Sequence, residues 1–168
     1  MSLRDILIYP DERLREIARP VDAFEPELSE LVGDMFETMY QERGIGLAAT
    51  QIDQHRRLFV ADVSEDRSGA RAFVNPEIVE RAGSVESEEG CLSIPGVNET
   101  IVRAERILVR ARDEKGKAFE QELDGLLAIC FQHELDHLDG RLFIDYLSPL
   151  KQQRIRKKME KALRRERV

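Results

Sequence analysis

The chain has 168 residues, enough for one compact domain with a single core, and its 42% apolar content is that of an ordinary globular protein. Its net charge of −7 is unevenly spread: from Lys151 onward nine Lys/Arg stand against two Glu, whereas the first 150 residues hold 17 basic and 31 acidic side chains. An acidic body excludes a surface that grips nucleic acid throughout, and no run approaches the roughly 18 apolar residues of a membrane span.

The opening Met1-Ser2-Leu3-Arg4-Asp5 meets acid at once and reads as neither a signal nor a transit peptide. Two cysteines, Cys91 and Cys130, are too few for a disulfide framework and point to free thiols in a cytoplasmic protein. From Pro26 to Arg43 the apolar residues Leu28, Leu31, Val32, Met35, Phe36, Met39 and Tyr40 recur at helical spacing, with Pro26 near the start and Gly44 as the stop. Strands are predicted at Leu58 to Val63, Ala72 to Val74, Ile78 to Glu80, Ile107 to Ala111 and Phe119 to Leu123, the last two joined by a turn at Asp113 to Lys117. Asp124 is the expected N-cap of a buried helix reaching Leu138, closed by Asp139-Gly140. Ser148-Pro149 opens a last helix whose apolar stripe, Ile155, Met159, Ala162 and Leu163, is narrow. The pattern predicts an α+β fold in which largely antiparallel strands surround a buried helix, flanked by an amphipathic N-terminal and a basic C-terminal helix.

The buried helix carries His133-Glu134-Leu135-Asp136-His137, an H-E-x-x-H string that uses two of the three histidines. Positions four apart share a helical face, so both imidazoles can meet one metal ion beside the glutamate. Burying these groups without partners would cost several kcal/mol each, and a bound cation removes that penalty for the histidines. A catalytic site needs a third protein ligand and an open position. Downstream, only Asp139, Asp145, Glu160 and Glu166 are available, and no histidine follows, which weakens the reading as a zinc endopeptidase. Upstream, Glu89-Gly90-Cys91-Leu92-Ser93 offers a thiolate, and Cys130, one turn before His133, is its rival. Gly44-Ile45-Gly46-Leu47-Ala48-Ala49 matches a dinucleotide fingerprint but follows a helix rather than a strand.

Together, Gly44 to Gln51, Glu89 to Ser93 and His133 to His137 resemble the signature strings of the peptide deformylases: G-x-G-x-A-A-x-Q, E-G-C-L-S and H-E-x-D-H. Met35 to Tyr40 and Leu147 to Arg154 also resemble bacterial members, so the likeness spans the chain. The resemblance implies a metal-dependent hydrolase that removes the N-formyl group from the first methionine of new polypeptides. It implies Cys91, His133 and His137 as ligands, Glu134 as the proton carrier, and the Gln51 side chain with the Leu92 backbone N–H as oxyanion donors. Ile45, Gly46, Glu89, Gly90, Leu126, Ile129 and Cys130 would bind substrate, with the Ile45 and Gly90 backbones flanking the peptide. The implied cofactor is one divalent ion, Fe²⁺ in the cell, with Zn²⁺, Ni²⁺ or Co²⁺ as substitutes. Arg103 resembles a family arginine that would support the helix through Asp136. Ser87 stands where close relatives often carry isoleucine, and Gly96 to Glu99 replaces a stretch that carries arginine in some members. The expected organisation is a catalytic domain over 1–147 with a basic helix over 148–168 packed on it. That helix is a candidate contact to ribosomal RNA, and the chain is expected to be a monomer. A non-enzymatic alternative is a ribosome-binding module closed around a structural metal.

Overall fold

The computed structural model describes residues 2–166. Helix α1, Pro26–Gln41, buries Leu28, Leu31, Val32, Met35 and Met39, the stripe read from their spacing. It ends two residues earlier than expected, because Arg43 takes a left-handed conformation (φ 58°) while Gly44 N–H bonds back to the Met39 carbonyl. Gly44 serves close packing instead: a Cβ there would lie 2.7 Å from Leu92 Cδ1.

Seven strands follow: β1 (Gly46–Ala48), β2 (Leu58–Ala61), β3 (Arg71–Ala82), β4 (Val85–Cys91), β5 (Ile94–Arg103), β6 (Arg106–Arg112) and β7 (Ala118–Asp124). All pairs are antiparallel, in a five-stranded sheet β1-β2-β3-β6-β7 and a two-stranded sheet β4-β5. The fold is therefore the antiparallel α+β arrangement predicted. The two short strands expected around Asn75-Pro76 are one continuous β3. The chain passes proline by a register shift between Val74 and Glu77, with Asn75 at φ 50°, and pairing with β6 then resumes. Strand β1 and the β4-β5 hairpin were not foreseen. The turn joining β6 and β7 is present, with Asp113 N–H donating to the Lys117 carbonyl.

Helix α2, Gly125–Leu138, lies across the large sheet. Asp124 occupies its cap position but makes no capping hydrogen bond, and Leu126 in the first turn is half exposed. From Ala128 onward the expected burial holds: Cys130, Phe131, Gln132, His133, Glu134, His137 and Leu138 are all enclosed. Phe131 meets Phe59 and Phe73 of the sheet edge to face, with ring centroids 5.0 and 5.1 Å apart. Helix α1 covers a second cluster with β1 and β2. Helix α3, Pro149–Glu166, packs Ile155 and Met159 against Ile94, Val97 and Ile101 of β5, while Leu163 is half-buried and Ala162 exposed. Arg167 and Val168, counted in the basic tail, lie outside the described residues. Among those residues, no helix is long and apolar enough to cross a membrane.

Candidate metal centre and active site

Helix α2 presents His133 and His137 one turn apart, with ring centroids separated by 5.1 Å. Strand alternation puts Ser87, Glu89 and Cys91 on one face of β4, the face turned toward α2. Strand and helix run in the same direction and in register: Cys91 Sγ is 3.4 Å from His137 Nε2, and Glu89 Oε1 is 2.9 Å from His133 Nδ1. Cys91, His133 and His137 thus offer ligand atoms within 4.8 Å of one another, the one such group among the described residues. Cys130, the rival thiol, is outside this trio; its Sγ lies 3.7 Å from the Ile45 carbonyl, and burial pushes its pKa well up. Both cysteines are free thiols.

The arrangement fits a divalent cation. One thiolate and two imidazoles converge from two elements, and His133 already has its Nδ1 engaged by a carboxylate, the usual support for a metal-bound imidazole. Glu134, beside the trio, is buried with Oε1 lacking any protein partner. Burial raises its pKa to about 7. Its Oε2 is 4.0 Å from His133 Nε2. Burial and the neighbouring His133 depress the pKa of His137, whereas the effects of Glu134, Cys91 and Glu89 outweigh burial at His133 and raise it.

Behind the ligands lies a charged hub. Arg103, buried at the end of β5, donates from Nε and Nη2 to the two oxygens of Glu89 (2.8 and 2.7 Å) and from Nη1 to Asp136 Oδ2 (2.8 Å). The contact to Asp136 is the one expected from the sequence. Tyr146 OH also donates to Asp136, at 2.8 Å. Gln132 pairs with the Ala104 backbone in both directions, at 2.9 Å each way. The bidentate pair thus ties β5 to β4 within the hairpin, while the Arg103–Asp136 ion pair, the Glu89–His133 contact and the Gln132–Ala104 clamp join that segment to α2. Tyr146 was not singled out from sequence, whereas Gln132, an amide inside an apolar helix, is readable there as a group that needs partners.

Gln51 sits on the 3-10 turn Ala49–Ile52 that follows β1. Its Oε1 accepts from Ala48 N–H at 2.9 Å, so Nε2 faces the hairpin tip, 3.0 Å from Ser93 Oγ and 3.6 Å from Cys91 Sγ. Ser93, fully buried, is a further residue the sequence reading left without a role. Gly46 is required by proximity: a Cβ would stand 2.6 Å from Glu134 Oε2 and 2.8 Å from Cys130 Sγ.

A cavity of about 490 Å³ opens between β1, the β4-β5 hairpin and α2. Every residue singled out from the sequence for the site lines it except His137, which is buried behind the wall. Leu92 borders it from the hairpin turn, and Leu126, Ile129 and Cys130 form the α2 side. Glu89 also borders it, with its carboxylate turned to Arg103 and His133. Ser87 and the Gly96 to Asn98 segment complete the lining.

Residues 3–153 match the family model described as polypeptide deformylase. The chain is 58% identical, over 96% of each sequence, to a curated peptide deformylase of Chromobacterium violaceum. Its fold is similar to the crystal structure of a peptide deformylase from Legionella pneumophila, with 52% identity, TM-score 0.93 and 98% of both chains covered. It is also similar to that from Ehrlichia chaffeensis, with 37% identity and TM-score 0.95 over 99% of this chain and 100% of the other.

Proposed function

The chain belongs to the polypeptide deformylase family, and from that premise we propose that it hydrolyses the N-formyl group of peptides that begin with formylmethionine. The products are formate and a peptide with a free amine. The observation that carries this reading is the convergence of Cys91, His133 and His137 beside a buried, unpartnered Glu134 at the wall of a cavity. The upstream thiolate separates this site from an H-E-x-x-H endopeptidase, and the adjacent cavity separates it from a closed structural site.

A divalent cation held by Cys91, His133 and His137 would supply Lewis acidity, bringing the pKa of water toward neutrality. Glu134 Oε1, free of other partners, takes the attacking water's proton and returns it to the departing amine nitrogen. Charge developing on the formyl oxygen is met by Gln51 Nε2–H and the Leu92 backbone N–H. The Oε1 tether to Ala48 holds that amide in the donating orientation at no charge cost. Glu89 keeps the His133 ring oriented. For the peptide, β1 and β4 each end a sheet beside the cavity, so Ile45, Gly46 and Gly90 can flank an extended main chain. Leu126, Ile129 and Cys130 receive the methionine side chain, which suits a medium apolar pocket.

The thiolate-imidazole set accommodates Fe²⁺, Zn²⁺, Ni²⁺ and Co²⁺, and we assign Fe²⁺ as the cellular metal from the family likeness. Residues 1–147 form the catalytic unit, and the basic segment over 148–168, which contains α3, is a contact for ribosomal RNA. We read the protein as a cytoplasmic monomer, in keeping with its free thiols and with a site built wholly from one chain. Formate release from formyl-Met peptides tests the reaction. Wild type should turn over, and Glu134→Gln should lose about 10²–10⁴-fold in kcat while keeping its metal. A metal-loaded wild type that releases no formate would overturn the assignment.

A further inference from the structure

Ser87 is a polar residue enclosed in the wall of the substrate cavity, 8% exposed. Its side chain makes no hydrogen bond to the protein among the described residues, which leaves the hydroxyl free to donate into the cavity that it lines. The register of β4 on α2 locates it. Cys91 meets His137 and Glu89 meets His133. Two residues further back along β4 is a step of about 6.7 Å, and four residues back along α2 is about 6 Å, so Ser87 comes opposite Ile129. Both line the cavity, beside half-exposed Leu126 and on the side away from Cys91. A side chain entering from the metal end passes Cys130 and reaches Ser87 with its tip.

We propose that Ser87 is a specificity-determining residue whose hydroxyl donates to the tip of the first side chain, extending the substrate class from formylmethionine to its oxidised form, formylmethionine sulfoxide. This inference rests on the deformylase reading and deepens it. A sulfoxide oxygen is a strong acceptor on an otherwise apolar chain, and an apolar wall at this position would leave it buried without a donor. The thioether loses little beside a hydroxyl, so both substrates are accommodated.

The test is the ratio of kcat/KM for formyl-Met-Ala-Ser to that for its methionine sulfoxide counterpart. The ratio is independent of the fraction of active enzyme, so partial misfolding of a variant does not blur it. Ser87→Ala should raise the ratio about tenfold, the worth of one hydrogen bond, while Ser87→Thr, which restores a hydroxyl, should keep it near the wild-type value. An unchanged ratio in Ser87→Ala, an equal rise in both variants, or a wild type that cleaves the thioether peptide alone would each overturn the proposal. A wild type that cleaves neither peptide would instead overturn the deformylase reading beneath it.

Discussion

At the scale of single residues, the site depends on atoms that have almost no room. The Cα hydrogen of Gly46 faces Glu134 and Cys130, and a methyl group there would overlap both. Gly46→Ala should therefore displace the Glu134 carboxylate and lower kcat by about 10²-fold, with the circular dichroism spectrum retained. An unchanged kcat would mean that Glu134 tolerates displacement. Gln51 shows a different economy: one amide uses its oxygen to fix itself to the turn and its nitrogen to reach the hairpin tip. A glutamate at this position would repel both Cys91 and the developing oxyanion.

At the scale of elements, the β4-β5 hairpin delivers the third ligand, and Arg103 joins it to α2. Burial raises the Glu89 pKa, but hydrogen bonds from Arg103 and His133 outweigh it and lower the carboxyl from 4.5 to about 2. The folded chain thus binds this proton more weakly than the unfolded chain. The stability it contributes is present above about pH 4.5 and is lost as pH falls toward 2. Glu89→Gln should flatten that acid limb and, by leaving Arg103 half-paired, cost about 3 kcal/mol at pH 7 in urea unfolding. Parallel acid limbs in the two proteins would contradict this. The hairpin was also the element least legible in the sequence. Helices α1 and α2 announce themselves by apolar spacing or by an apolar run, and β6 and β7 by their turn. Strand β4 reads Val-Glu-Ser-Glu-Glu-Gly-Cys because its inward face, Ser87, Glu89 and Cys91, lines the cavity instead of the apolar core. The motif strings pointed to Cys91, His133 and His137, which the fold brings together, since metal chemistry restricts those residue types. Gln132, Tyr146 and Ser93 act through contacts between distant segments, and no local spacing encodes these.

At the scale of the whole molecule, α3 is both a structural and a charged element. Its Ile155 and Met159 belong to the cluster beneath β5, and Lys158 Nζ donates to the Gly96 carbonyl at the cavity wall, so truncating the helix would disturb the fold itself. Reversing exposed Lys157, Lys161 and Arg164 to glutamate leaves those contacts in place. If the helix grips ribosomal RNA, the triple variant should bind ribosomes more weakly and lower the salt slope by about 0.7–0.9 per lost phosphate contact, with an unchanged thermal midpoint. Ribosome binding equal to wild type at low salt would end that reading. The joint between hairpin and helix has one more consequence. The three donors are brought together by hydrogen bonds of the protein's own: Glu89 on His133, Gln51 on the hairpin tip, and Arg103 on Asp136 and Gln132 on Ala104 between the two segments. The scaffold is a rigid mould and the cation a casting in it, so the mould decides the shape and the cation only the reactivity. Proteins loaded with Zn²⁺, Ni²⁺ or Fe²⁺ should superpose at Cys91, His133 and His137 while differing in kcat, and a hairpin that shifts with each ion would show the mould to be soft.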